Sequence, residues 1–135
     1  MTVEAIGTGL KGILDDISGL RVFAPNELPD TINEFPAAVI VPGEVRYHAD
    51  FAGDYDFSFR VIILLTSQDK PTAFDKILPY IEASGASSVL AKIDADPTLG
   101  GTCDTCQVTR NTGVGVTSWG GVMYLSTEFE VAIWA

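Results

Sequence analysis

The chain has 135 residues, 47% of them apolar, and sets 18 acids against eight bases for a formal charge of −10. That length suits one domain with a sizeable core, and the apolar share excludes wholesale disorder. The bases are scattered, which argues against a groove that tracks nucleic-acid phosphates, and apolar runs such as residues 61–65 fall far short of the about 20 residues a membrane-spanning helix needs. The first residues lack the basic and continuously apolar stretches of a secretory signal. Two cysteines do not make a disulfide scaffold. The expectation is a soluble, acidic, intracellular single domain covering residues 1–135.

Val3, Ile6, Leu10, Ile13, Leu14 and Ile17 recur at steps of three and four, predicting an amphipathic helix. Thr2 is its expected cap and Gly19 its left-handed stop. Gly7, Gly9 and Gly12 weaken that helix by about 1 kcal/mol each relative to alanine. Residues 20–24 read as a short strand, and residues 25–36, with three prolines and three acids, as an irregular connection. A second strand is expected at 37–41, with Pro42-Gly43 forming a turn or bulge before residues 44–47.

Residues 50–54 suit a hairpin loop. Tyr55, Phe57, Phe59, Val61 and Ile63 then alternate with polar residues before the pattern fades at 62–65, as in a strand that becomes buried on both faces. Pro71 suits the first turn of a helix whose inner face is Phe74, Ile77, Leu78 and Ile81. Pro79 should kink it or end it early, with Gly85 closing it. A short helix is expected at 87–93 and a tight turn at 96–101. Two strands finish the chain, at about 103–112 and 122–134, the second with Met123, Leu125, Thr127, Phe129, Val131 and Ile133 on one face. Residues 111–127 run seventeen positions without a charge and with four glycines, and their first part reads as a loop between the strands. The order of elements predicts an α+β fold, a mainly antiparallel or mixed sheet with two to three helices packed on it.

The motifs with chemical associations are weak. Residues 7–12 match G-x-G-x-x-G, and Glu27 lies where a ribose-binding acid would. Glu4 interrupts the strand this fingerprint requires, however, and the later strands are antiparallel neighbours, so a glycine-softened helix is the better reading. Cys103 and Cys106 form a C-x-x-C that leads into a strand rather than opening a helix. His48 is the only histidine and cannot complete a four-ligand zinc site with them. Asp50, Asp54 and Asp56 lack the glycine and glutamate of a calcium loop. G-x-S-x-G is absent. No catalytic, cofactor-binding or metal-binding residue is expected, and the chain reads as a non-enzyme.

Four segments in order carry a resemblance: the opening that ends Leu20-Arg21-Val22-Phe23; Phe35-Pro36-Ala37-Ala38-Val39-Ile40-Val41-Pro42-Gly43; the stretch from Ser88 through Asp96-Pro97-Thr98-Leu99-Gly100-Gly101; and the closing Met123 to Ala132. Together they resemble the tail terminator, or tail completion, proteins of long-tailed bacteriophages and prophages. The resemblance implies a virion structural protein. It would form a ring, commonly a hexamer, at the head-proximal end of the tail tube, ending tube growth and offering a surface to the head connector. Implied partners are copies of the same chain, the tube protein and the connector protein, with DNA passing through unbound and no membrane or cofactor involved. That family has no catalytic residues to carry over, and neither the three glycines nor the cysteine pair belongs to its pattern.

Candidate contacts lie in two segments, 47–55 and 111–121, with Tyr47, His48, Asp50, Phe51, Asp54, Val114, Val116 and Trp119 as the assembly residues. Two alternatives stand beside this reading. One is a head-to-tail connector subunit that seals the portal. The other is a small redox or nucleotide-binding enzyme using Cys103 and Cys106 or the N-terminal glycines.

Overall fold

The structure is a computed structural model that describes residues 3–30, 32, 35–46, 56–67 and 74–134. Helix α1 (Val3–Leu14) turns Ile6, Leu10 and Leu14 inward, the 3.6-residue period of its sequence made physical. It ends earlier than the apolar spacing predicts. The chain turns at Asp15–Asp16 and still buries Ile17, and Gly19 adopts φ +80°, a left-handed conformation that suits glycine. Strand β1 (Arg21–Phe23) follows, then a single 3-10 turn (Pro25–Glu27). The Glu27 carboxylate accepts from the Ala24 amide at 3.1 Å and pairs with Lys11 of α1. The Lys11 bond, followed by the Ala24 amide, holds the Glu27 carboxyl below the ordinary carboxylate range.

Strands β2 (Ala37–Arg46), β3 (Asp56–Ser67), β4 (Thr105–Trp119) and β5 (Val122–Trp134) join β1 in one sheet of order β1-β2-β3-β5-β4. Only β1 and β2 run parallel; every other pair is antiparallel. The α+β fold with a mixed, mainly antiparallel sheet is as the sequence predicts. β2 is one strand rather than two, with a register shift between Pro42 and Val45 that accommodates a proline unable to donate to the ladder. Two short helices, α2 (Phe74–Ile81) and α3 (Val89–Asp94), lie between β3 and β4. Pro79 stands inside α2, which stops two residues later. Ser88 joins the two helices. Its hydroxyl donates to the Glu82 carbonyl at 2.5 Å and accepts from the Ala91 amide at 3.1 Å, so this fully buried polar group is satisfied at both ends.

The sheet has two unequal cores. On one face all three helices bury Ile6, Leu10, Ile77, Val89 and Ile93 against Phe59, Val61, Ile63, Phe129 and Val131. Each fully buried aliphatic or aromatic side chain contributes about 1.5–3 kcal/mol. On the other face a smaller cluster forms where the connection after β1 crosses the sheet: Ile32, Val39, Ile62, Leu64 and Tyr124, with Leu28 and Trp119 packed on it. Residues 61–65 are buried throughout, as the fading alternation of that stretch predicts.

Candidate assembly surface

The last two strands decide what the uncharged segment is. The sequence suggests a loop there, but β4 continues as strand to Trp119, and Gly120 and Gly121, at φ +59° and +81°, turn the chain directly into β5. Two central residues with positive φ are the requirement of a tight hairpin turn, which explains the glycine pair. Two register shifts, one between Val108 and Arg110 and one between Asn111 and Val114, break the alternation that would have announced a strand. The second is pinned by a small polar network. The Asn111 side-chain amide donates to Thr127 Oγ1 at 2.7 Å and to the Glu128 carbonyl at 3.1 Å, while its oxygen accepts from the Gly113 amide at 2.8 Å. Thr127 Oγ1 in turn donates to the Gly113 carbonyl at 3.0 Å. Buried Thr127 is thereby satisfied, and the extra residues of the bulge are locked rather than loose.

Toward the turn of the hairpin, apolar side chains come out into solvent. Thr127, Phe129, Val131 and Ile133 are buried as expected, but Met123, placed on the same face by its alternation, is 42% exposed. Val116 is 48% exposed opposite Leu125, and Val122 on the other face is 44% exposed. Val114 is half-buried against the main core. Trp119 is not a free surface aromatic. It packs on the smaller cluster, and its indole N–H donates to the Pro29 carbonyl at 2.9 Å. That bond gives Trp119 a folding role, because the indole latches the hairpin to the connection between β1 and β2. At this end of the hairpin the large apolar groups offered outward are therefore Val116, Val122 and Met123. Residue spacing assigned the latter two no such role, because exposure depends on what the rest of the chain packs above them. Tyr47, His48, Asp50, Phe51 and Asp54 lie outside the described residues.

Lower on the second face the sheet carries two cross-strand ion pairs. Arg60 meets Glu128 at 2.5 Å, and Arg110 meets Glu130 at 2.9 Å. Solvent-facing pairs of this kind contribute about 0–1 kcal/mol each.

The chemically suggestive motifs resolve into packing. Gly7 faces the ring of Pro25, where a Cβ would come within 2.7 Å of two ring carbons. Gly9 faces the Leu99 carbonyl, 2.8 Å from where its Cβ would be. Both lie within a helix and against protein, so neither is available to cradle a phosphate. Glu27, the candidate ribose acid, is held by Lys11 and Ala24. Cys103 and Cys106 are buried free thiols. Burial pushes both up, helped at Cys103 by Asp104, and Cys106 rises from 9.0 to about 12. A reactive thiolate needs the opposite shift. Among the described residues no group of three or more metal-ligating side chains comes together, and no helix is long and apolar enough to cross a membrane.

No family model matches this chain, and no curated protein matches it significantly.

Proposed function

We propose that this chain is a ring-forming virion protein of the tail terminator kind, a subunit of a hexameric cap at the head-proximal end of a phage tail tube. The ordered resemblance of four segments, which together span nearly the whole chain, suggests the reading. The observation that carries it is the β4–β5 hairpin: two strands that close in an uncharged end with Val116, Val122 and Met123 exposed. A solvent-only hairpin gains nothing from leaving three large apolar side chains in water, whereas an assembly protein buries them on its neighbours.

The work such a protein does is steric. A ring seated on the last layer of tube subunits covers the surface to which the next layer would add, and its opposite face is then what the head connector meets. A heterologous contact between copies closes into a ring when its rotation closes. This role asks for rigid, complementary surfaces and no reacting group, and the hairpin supplies rigidity through the bulge network and the Trp119–Pro29 latch.

Electron microscopy of the purified chain mixed with tail tubes tests the reading. Rings on one tube end, with tube length limited by added protein, are expected. A chain that leaves tube ends bare and tube length unchanged overturns it. Binding to the portal side alone replaces it with the connector role.

A further inference from the structure

We propose that the outer edge of β4, from Val114 to Trp119, is a strand-pairing site whose occupant is the same edge of a second copy of this chain. β4 is the last strand of the sheet, so one side of its backbone faces no strand among the described residues. Its pairing with β5 runs without a register shift from Val114 opposite Thr127 to Trp119 opposite Val122. Exposed edges are ordinarily blunted by bulges, lysines or prolines. Here both bulges come earlier in the strand, and no charge or proline falls anywhere between 111 and 127. The edge is regular, neutral and unguarded.

Charge and the opposite edge of the sheet select the occupant. Two chains at −10 each repel wherever their acids face one another, so a neutral strip is where copies approach at least electrostatic cost. β1, the other edge, is three residues long and cannot cover this run head to tail. β4 against itself does fit. In the antiparallel register that sets Val116 opposite its own copy, Val114 falls opposite Ser118 and Gly115 opposite Thr117, and no charge meets a charge along the joint. The exposed Val116 side chains then meet on the helix side of the joined sheet, with Met123 one strand inward. Such a contact is isologous and closes at two. It describes the free chain and does not depend on the ring reading.

Sedimentation of the full chain across about a hundredfold range of concentration should show a monomer–dimer equilibrium. The amides of residues 114–119 should exchange with deuterium more slowly at the high end. Val116→Lys sets like charges opposite each other at an exposed position, and is expected to weaken the dimer about tenfold or more. Val116→Thr should leave it within a few-fold of the parent. A monomer at every concentration overturns the proposal, as does a dimer that Val116→Lys leaves equally tight. A dimer whose 114–119 amides gain no protection overturns it too, and that measurement needs no variant.

Discussion

Cys106 shows how burial works against the chemistry a motif suggests. A C-x-x-C attracts redox and metal readings, yet its second thiol sits inside the main core, where the charged form has lost its water. The consequence for stability has a definite sign. In the unfolded chain the thiol ionises near 9.0, whereas in the fold it does so at about 12. Below pH 9 both states hold the proton, and the fold keeps the full contribution of the buried neutral thiol. Between pH 9 and 12 only the unfolded chain gains by ionising, so stability falls across that window. Thermal melts should therefore show Tm of the parent dropping more steeply from pH 9 upward than Tm of Cys106→Ala. Equal slopes would mean that the thiol is solvated in the fold. Tyr80, also raised by burial, adds to the fall in both proteins and cancels in the comparison, whereas Cys103, raised too and coupled to Cys106, does not, so the difference reports the thiol pair.

At the scale of elements, α1 and the turn before β4 explain each other. Residues 96–101 form a tight turn in which Asp96 accepts from the Gly100 amide at 3.1 Å, and Leu99, Gly100 and Gly101 all take positive φ. Leu99 holds that unfavourable backbone, at φ +52°, while its side chain is buried in the core. The same turn brings the Leu99 carbonyl against α1, and Gly9 leaves the space for it. Gly12, three residues on, faces open space. Urea unfolding should separate the two. Gly12→Ala is expected to stabilise by about 1 kcal/mol through helix propensity alone, and Gly9→Ala to destabilise by about 1–3 kcal/mol because its Cβ meets backbone that cannot rotate aside. A stabilising Gly9→Ala would show that the turn stands off from α1.

This pairing also shows what could be read in advance. The inward faces of α1 and β3, the Pro42-Gly43 bulge, the existence of the short helices around Ser88 and most of the closing strand follow from local periods and local turn chemistry, but Leu78 and Met123, assigned to inner faces by their spacing, are exposed. The purpose of Gly9 does not, because the atom that requires it is contributed by Leu99, ninety residues away. β4 was legible only to its bulges, since two register shifts and two glycines erase a period of two. The candidate surface was partly legible for the same reason. Its neutrality is plain in the residues, whereas the latch of Trp119 onto Pro29 and the exposure of Val122 and Met123 depend on what packs above them.

For the whole molecule the governing quantity is charge. Scattered bases and an excess of acids argue against nucleic acid as a ligand of the chain. In the proposed ring the same excess has a use, because acids lining the passage would repel the DNA that travels through it. It also opposes assembly, since every copy brings the same sign to its neighbour. A neutral hairpin lowers that cost locally but not at the longer range over which the remaining acids act. Association between copies should therefore tighten as salt rises from about 0.01 M to about 1 M, over which the screening length falls from about 30 Å to about 3 Å. Sedimentation across that series checks the expectation. Association that weakens with salt would show that copies are held by ion pairs, with Arg60 and Arg110 exchanging their own-chain glutamates for a neighbour's, and the neutral end of the hairpin would lose its role as the contact.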